Sequence, residues 1–367
     1  MKSIADIAAA RILSLGLAGP AVRGPGDVVS HLLCMQGQDL RGALESVALR
    51  TADRDPAAVA SALADGTVVR SWTQRGTLHL VAGGDVGWVL DLTGERMLKS
   101  MVRRRAQLGI DDAMIARSNE LAAALIRERG RVSRQELLAA WEPLGVGEVQ
   151  GRGYHLIVGL AIRQVLVQGP LAEAGPLEQL FVLSADWLPP QRRLAREEAL
   201  AELVGRYVGS HGPATVADVA RWAGLPAGDV RAGLASARAA GTISSTDVEG
   251  TAYLHSPDLP DLLAAHRDET RALFLLPGFD ELILGYRDRS ATLAAEDEAL
   301  VVPGANGMFK GTIIEKAKAV GTWRRNGRPT GPKVETTAFP GRRLNQRRVE
   351  KAAAAYPAFD RPSRQGG

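Results

Sequence analysis

The sequence predicts an α+β fold, with helices and short hairpins in the first two-thirds and a strand-rich region after them. Three observations support this fold class. Apolar residues recur at helical spacing through most of the chain. At three places a β-branched run follows the helical pattern and is interrupted by turn residues, as in a hairpin. After about residue 270 the helical spacing gives way to apolar runs and alternating segments that are typical of strands.

The first unit, residues 1–95, opens with an amphipathic helix that carries Asp6 and Arg11 within its apolar stretch. Its later helices keep the same period, and its two strands are joined by the turn Thr73–Gln74–Arg75. The predicted elements are helices over residues 3–16, 26–35, 39–50 and 56–65 and strands over residues 67–72 and 76–81.

The second and third units, residues 96–190 and 191–268, repeat this order of helices and hairpin. Ser133 and Thr215 precede apolar stripes at helical spacing and belong to the residue types that cap helix N-termini. The turn of the third hairpin is predicted at Glu249–Gly250. The predicted helices cover residues 132–145, 151–167, 200–212, 214–225 and 227–241, and the hairpins cover residues 168–189 and 242–256.

Three helices followed by a small hairpin have the arrangement of a winged helix, a variant of the helix-turn-helix. A helical repeat protein is the alternative, since its helices show the same spacing. The hairpins argue against it, because the helix pairs of a solenoid stack without strands. The sequence therefore predicts three tandem winged helices.

The C-terminal region, residues 269–367, is predicted to be a β-rich domain packed on the winged helices. The segment RALFLLPGFDELILGYRD contains an apolar run of the buried type, and the later segment GMFKGTIIEKAKAVGTWRR alternates. Asn326–Gly327 is a hairpin signal, with KVETTAFPG as the returning strand. A helix over residues 344–356 closes the chain.

The composition limits the compartment and the chemistry. Cys34 is the one cysteine among 367 residues, so the chain has neither an internal disulfide nor a cysteine–histidine zinc motif. The six histidines show no metal-ligand spacing, and motifs for phosphate loops, dinucleotide binding, zinc proteases and serine hydrolases are absent. No run of about 20 apolar residues is present to span a membrane. We expect a cytoplasmic protein without a metal or other cofactor.

Three basic clusters stand out, although the formal net charge is only +4. They are MVRRRAQLG (101–109), WRRNGRP (323–329) and GRRLNQRRVEK (341–351). Arginine clusters of this kind neutralise DNA phosphates. They are equally typical of solvated surface in an arginine-rich chain.

The segment MQGQD (35–39) interrupts an apolar, helix-like stretch with two glutamines and a glycine. Side chains two residues apart face nearly opposite ways on a helix but share a face when the chain is extended. Gly37 permits such a break, and Asp39 suits the N-cap of the following helix. Gln36 and Gln38 would then present two amides on one side, able to hold a water or to contact a base edge or phosphate. Alternatively, they satisfy loose backbone groups at the turn.

Four segments together carry a resemblance to a known family. HLLCMQGQDLRGALESVALR, SWTQRGTLHLV, LPGFDELILGYRDR and NGMFKGTIIEKAKAVGTWRR occur in this order between residues 31 and 325. Together they resemble the winged-helix DNA-binding protein family that includes the AlkZ-type alkylpurine DNA glycosylases. The resemblance implies three tandem winged helices and a β-rich C-terminal part, in agreement with the elements above.

The resemblance also implies an activity and its residues. Members of that family excise N7-alkylated guanine, in some cases from interstrand crosslinks, and carry a motif of glutamine, an apolar residue, then glutamine or aspartate. Gln36 and Gln38 take the outer positions and are the implied catalytic residues, whereas Gly37 departs from the apolar middle position. The implied partner is double-stranded DNA with N7-alkylguanine or crosslink lesions. We expect a monomeric, monofunctional glycosylase, because no nucleophilic lysine or N-terminal proline is recognisable.

Further residues are assigned to this function as expectations. The arginines expected to contact DNA are Arg103, Arg104 and Arg105, together with Arg324, Arg325 and Arg328 of the predicted hairpin. Possible further members of the site are Asp39, His79, Asp280 and Glu281. Asp39, as an N-cap, is expected to point away from the glutamines, and core packing is the alternative for His79. For the two later carboxylates the alternative is an ion pair with Arg287 or Arg289.

Two other functions fit the same sequence. Tandem winged helices commonly bind DNA as non-enzymatic regulators, and the basic clusters would serve them equally well. A protein that confers resistance by sequestering the alkylating compound is the second alternative. Release of free base from alkylated DNA distinguishes a glycosylase from both.

Overall fold

The computed structural model describes residues 1–173, 177–305, 307–326 and 333–359. Within these ranges the protein combines helices with antiparallel strands, so the predicted α+β class is confirmed. None of the helices found there is both long enough and apolar enough to span a membrane.

Helices and short strands follow one another along the whole chain. In chain order the elements of the first half are α1 (Ile4–Ser14), α2 (Pro25–Leu32), β1 (Cys34–Gln36), α3 (Leu40–Ala48), α4 (Pro56–Ala64), β2 (Val68–Trp72), β3 (Leu78–Ala82), α5 (Val86–Gln107), α6 (Asp112–Arg129), α7 (Arg134–Ala140), α8 (Arg152–Ile162), β4 (Leu166–Leu171), β5 (Gln179–Leu183) and α9 (Ser184–Trp187). Those of the second half are α10 (Arg196–His211), α11 (Val216–Ala223), α12 (Ala227–Ala239), β6 (Ser244–Val248), β7 (Thr251–His255), α13 (Leu259–His266), β8 (Leu273–Leu276), α14 (Glu281–Leu284), α15 (Glu298–Val301), β9 (Gly311–Glu315), β10 (Lys318–Arg325), β11 (Val334–Ala338) and α16 (Gln346–Ala354).

The helix starts predicted from capping residues are confirmed. Ser133 and Thr215 occupy the N-caps of α7 and α11, where each hydroxyl accepts a hydrogen bond from the backbone N–H three residues on. Glu136 and Asp218 complete reciprocal capping boxes by accepting from the backbone N–H of the two caps. Local chemistry therefore fixes where these helices begin.

The stretch before the glutamine motif differs from the prediction, because the helix expected over residues 26–35 ends at Leu32. Leu33 has a φ of 65°, which breaks the helix, and Cys34 starts the strand β1. This strand pairs antiparallel with β3 and matches Gln36 with His79. The apolar run is compatible with a helix or a strand. It forms a strand here because the backbone N–H and C=O groups on the open edge of β3 need hydrogen-bond partners.

The helices α5 and α6 occupy a segment for which no helix was predicted. α5 buries residues of its first half, and Arg103 and Arg104 in its last turns are exposed. It runs through residue 95, the expected end of the first unit. The division into four units and the count of three winged helices stay predictions.

The hairpins β2–β3 and β4–β5 join into one five-stranded sheet in the order β1-β3-β2-β4-β5. Arg70 of β2 pairs with Gln168 of β4 where the two hairpins meet. The hairpin β6–β7 forms a separate sheet, and the C-terminal strands form a third in the order β11-β10-β9-β8. The predicted hairpin β10–β11 is thus present, whereas Gly327 and Arg328 lie outside the described residues.

A continuous apolar core connects the first sheet with the beginning of the C-terminal region. That region contributes Leu276, Leu282 and Ile283 to the core. Burial of these residues brings Asp280 and Glu281 against the N-terminal elements, close to the end of β1.

Candidate active site

The two glutamines of the MQGQD segment lie where β1 ends and the chain turns into α3. Gln36 is the last residue of the strand and is 6% exposed, whereas Gln38 is exposed in the connection. The backbone N–H of Gln36 donates to Glu281 Oε1 at 2.9 Å. A residue of the C-terminal region therefore fixes the backbone of the motif.

The two side-chain amides contact each other. Gln36 Nε2 donates to Gln38 Oε1 at 3.0 Å, and Gln36 Oε1 accepts from the backbone N–H groups of Gly37 and Gln38 at 2.8 and 3.2 Å. Gln36 thus satisfies backbone groups at the turn, which was the alternative interpretation of the motif. Gln38 Nε2 has no partner among the residues that the structure describes, so it can donate to a ligand.

Asp39 occupies the N-cap position of α3, but its carboxylate makes no hydrogen bond to that helix. Capping therefore does not turn the side chain away from the site, contrary to the expectation. Instead, Asp39 is exposed and lines the cavity that borders Gln38. The dipole of α3 favours a negative charge at this place.

A cavity of about 490 Å³ lies beside Gln38, between the first sheet and α8. Its lining includes Arg70, Trp72, Tyr154, Gln168, Gln179 and Phe181. Aromatic, amide and cationic groups thus surround a space within the size range of small-molecule sites. Such groups can contact both the face and the edge of a nucleobase.

Glu281 is buried behind the motif in a polar network. Its Oε2 accepts from Trp222 Nε1 at 3.2 Å and lies 3.3 Å from His211 Nε2, while its Oε1 holds the backbone of Gln36. Burial raises the pKa of Glu281, but the hydrogen bond with His211 and the one from Gln36 help to bring it below its ordinary value. Glu281 is therefore an anionic group that positions the motif from behind.

Asp280 forms a buried ion pair with Arg50 and accepts a hydrogen bond from Ser46 at 2.7 Å. The guanidinium meets the carboxylate through two contacts of 2.9 and 3.0 Å. The alternative ion pairs with Arg287 or Arg289 are therefore wrong for this residue. Core packing of the C-terminal region brings Asp280 against the end of α3, where Ser46 and Arg50 are its partners.

His79 is buried in β3, where its Nδ1 lies 2.9 Å from Thr73 Oγ1. Burial lowers the pKa of His79 to about 3, so the ring is neutral at physiological pH. The structure thus places this residue in the core, opposite Gln36 on the neighbouring strand. In the part of the chain that the structure describes, no three histidine, cysteine, aspartate or glutamate side chains are grouped to hold a metal ion.

The arginines expected on α5 differ in their accessibility. Arg103 and Arg104 are exposed near the end of the helix. Arg105 is half-buried, with its guanidinium 3.5 Å from the carboxylate of Asp112. The first two are therefore the better placed to meet a phosphate.

The arginines of the β10–β11 hairpin have protein partners. Arg324 Nε donates to Glu335 at 2.7 Å across the hairpin, and Arg325 pairs with Glu45 of α3. DNA contact by either side chain would compete with these ion pairs. Arg328, the third arginine expected here, lies outside the described residues.

Arg70 and Gln168 were not singled out from the sequence. They are 98 residues apart and meet because β2 pairs with β4, with Arg70 Nε donating to Gln168 Oε1 at 2.6 Å. An arginine inside the buried strand sequence VVRSW was the signal that could have identified the pair.

Comparison with known proteins connects this geometry to a family. The family model described as "DNA glycosylase AlkZ-like" matches residues 29–359. An "Interstrand DNA cross-link repair glycosylase" of Streptomyces sahachiroi is 28% identical over 359 residues, which cover 89% of this chain and 88% of the relative. The solved structure of "Streptomyces sahachiroi DNA glycosylase AlkZ" matches with a TM-score of 0.78 and 26% identity, covering 98% of this chain and 97% of that one. Because the family model spans most of the chain, the protein belongs to the AlkZ-like DNA glycosylase family.

Proposed function

We propose that the protein acts as a monomer to hydrolyse the N-glycosidic bond of N7-alkylguanine in double-stranded DNA, with the reacting water held by Gln36 and Gln38. One observation carries this proposal. Two amides touch each other beside an accessible cavity, and the side-chain N–H groups of Gln38 are unpaired within the described ranges. Family membership supports the glycosylase activity, and the geometry favours this place for the water.

The chemistry suits neutral amides. Alkylation at N7 leaves guanine positively charged, so cleavage of the C1′–N9 bond returns the electron pair to a base that departs neutral. The sugar develops positive charge at C1′, where the water oxygen forms the new bond and releases its proton to Asp39 or to solvent. Aiming the water is a matter of proximity and orientation. Gln38 Oε1 keeps a second lone pair that can also favour the positive sugar, whereas Gln36 Oε1 already accepts from two backbone N–H groups.

Interstrand crosslinks extend the proposed substrate class. The Streptomyces sahachiroi relative is named a cross-link repair glycosylase. A crosslinked guanine is tied to both strands and cannot swing freely out of the duplex, as most base-processing enzymes require. The exposed positions of Gln38 and Asp39 suit such a substrate better than an enclosed pocket would.

Incubation with duplex DNA that carries one N7-methylguanine, or one nitrogen-mustard crosslink, tests the proposed function. We expect free alkylated base and an abasic strand that stays uncut, because no lysine is found among the described residues that line the cavity. A regulator would bind the DNA without releasing base. A sequestering protein would bind the alkylator in the absence of DNA. Either of these results would refute the hydrolysis.

Replacement of Arg103 and Arg104 by glutamine is expected to weaken DNA binding regardless of sequence. Each lost phosphate contact should lower the slope of log K against log salt by about one. Fluorescence anisotropy at several salt concentrations measures this slope. Arg117→Gln on α6 is the matched control, because it removes an exposed arginine that is paired with Glu120. If the double variant keeps the salt slope of the parent protein, the end of α5 does not contact DNA.

A further inference from the structure

Arg70 is a buried cation beside the candidate site. It is 8% exposed, lines the cavity next to Gln38, and forms no ion pair with any residue that the structure describes. Its Nε donates to Gln168, but Nη1 is enclosed and lacks a partner within the described part of the chain. Burial lowers the pKa of Arg70 to about 10, against the opposing charge of Asp39, so the guanidinium stays charged at neutral pH.

A charged donor that is buried without an acceptor is unfavourable, and such groups in folded proteins ordinarily have a functional or bound partner. Gln168 holds the guanidinium through Nε, and Arg70 contributes to the lining of the cavity. An oxygen acceptor that enters the cavity would form a charge-assisted hydrogen bond with Arg70. The arrangement therefore points to a ligand that carries such an oxygen.

Gly37 makes room for this arginine. A Cβ added at residue 37 would lie 3.1 Å from Arg70 Cδ, 3.4 Å from Arg70 Cγ and 3.3 Å from Leu80 N. The separations of 3.1 and 3.3 Å are shorter than ordinary van der Waals contacts, so a methyl group at this position would push Arg70 aside by a few tenths of an ångström. The backbone of Gly37 is not left-handed, and space is therefore the reason for glycine here.

We propose that Arg70 is a specificity-determining residue that donates a hydrogen bond to O6 of the alkylated guanine when the base enters the cavity. The inference rests on the proposed function. N7 carries the alkyl group, so O6 is the acceptor that remains on the edge that arginine ordinarily recognises in guanine. Adenine has an amino group at that position, which presents a donor to Arg70 instead of an acceptor.

The cavity lining favours a base over a phosphate as the occupant. Trp72 and Tyr154 stand edge to face with ring centroids 6.1 Å apart, and the exposed Tyr154 offers a surface on which a base can stack. Gln168 adds an amide group that can pair with a base edge, whereas the buried Gln179 donates through Nε2 to the Gly169 carbonyl. Arg134, which also lines the cavity, suits a flanking phosphate.

Single-turnover release rates of Arg70→Met on two lesions test the contact. The duplexes carry one 7-methylguanine or one 7-methyladenine. We expect the rate on 7-methylguanine to fall about 10- to 100-fold more than the rate on 7-methyladenine, because only the guanine lesion loses a charge-assisted hydrogen bond. Equal losses would refute the proposal, since a structural role or a phosphate contact does not distinguish the bases. If Arg70 contacted a phosphate, Arg70→Met would also lower the slope of log K against log salt by about one.

Equilibrium binding separates this inference from the proposed function. It uses duplexes in which each lesion carries a 2′-fluorinated sugar and cannot be cleaved. A preference of the parent protein for 7-methylguanine that Arg70→Met abolishes would support the contact even if no base is ever released. The absence of such a preference in the parent protein would contradict the contact. If the parent protein prefers to bind 7-methylguanine but releases no base from cleavable DNA, only the proposed hydrolysis would be refuted.

Gly37→Ala is a second variant, and it keeps every polar group. The added methyl displaces Arg70, so we expect part of the same loss of selectivity and no further loss when it is combined with Arg70→Met. Gly84→Ala is the matched control, because a Cβ there meets nothing within 4 Å. Thermal unfolding shows which variants are folded. If Arg70→Met does not fold, the selectivity of Gly37→Ala alone tests the proposed contact. Fully additive losses would contradict the coupling of residues 37 and 70.

Discussion

Replacement of Gln36 and Gln38 together by alanine is expected to slow the single-turnover release of N7-methylguanine by about 10²- to 10³-fold. The water keeps its reactivity but is no longer aimed at C1′. DNA affinity and its salt dependence should stay close to those of the parent protein, because neutral amides release no counterions. Quenched reactions with excess enzyme measure the rate, and anisotropy titrations measure the affinity.

The single variants should differ, because the two amides have different surroundings. Gln36 accepts hydrogen bonds from the backbone N–H groups of Gly37 and Gln38, so Gln36→Ala also loosens the turn. Gln38→Ala removes an exposed amide and leaves that turn intact. Since the amides are hydrogen-bonded to each other, their single effects should not add in the double variant. Release at the parental rate by the double variant would mean that the water is held elsewhere.

Asp280→Ala is expected to lower the free energy of unfolding by about 3–5 kcal/mol. The side chains of Asp280 and Arg50 are each 1% exposed, so removal of the carboxylate leaves a buried guanidinium without its counter-charge. Urea denaturation followed by circular dichroism measures the change. Arg117→Ala, which breaks an exposed ion pair with Glu120, is the control and should change the stability little. A stable Asp280→Ala variant that fails to release base would indicate a catalytic role instead.

The same ion pair makes the stability depend on pH. Burial raises the pKa of Asp280, but the charge and hydrogen bonds of Arg50, together with those from Leu282 N–H and Ser46, bring it below its ordinary value of 3.8. A carboxyl group whose pKa is lower in the folded state stabilises the fold above its unfolded pKa, at about pH 4. That contribution is lost as the pH falls through the lowered value. In Asp280→Asn the free energy of unfolding should therefore fall less than in the parent protein as the pH is lowered below 4. An unchanged dependence of the unfolding free energy on pH would contradict this account.

The helices and hairpins could be predicted where local chemistry fixes them. Ser133 and Thr215 cap their helices through residues three positions on, and an apolar stripe needs only its own spacing to be recognised. β1 could not be predicted, since a strand of three residues exists only because β3 offers an open edge. Its apolar letters are equally compatible with one more turn of α2.

The candidate site could be predicted only in part. Gln36 and Gln38 were recognisable as a short motif, whereas the groups around them come from distant segments. Arg50 and Asp280 are 230 residues apart, and their pairing follows from the packing of the C-terminal region on α3. Proximity in sequence favoured Arg287 and Arg289, and no pattern along the chain encodes the distance across a core. The same holds for Arg70, which acquires its surroundings only when two hairpins join.

The bond from the backbone of Gln36 to Glu281 has a consequence for biosynthesis. The ribosome makes the glutamine motif first and the carboxylate that anchors it 245 residues later. Until the C-terminal region docks, the nascent chain holds the motif without that anchor, on a strand of three residues. We therefore expect an incomplete or truncated chain to be unable to excise bases, which spares the genome from unfinished copies of an enzyme that creates abasic sites.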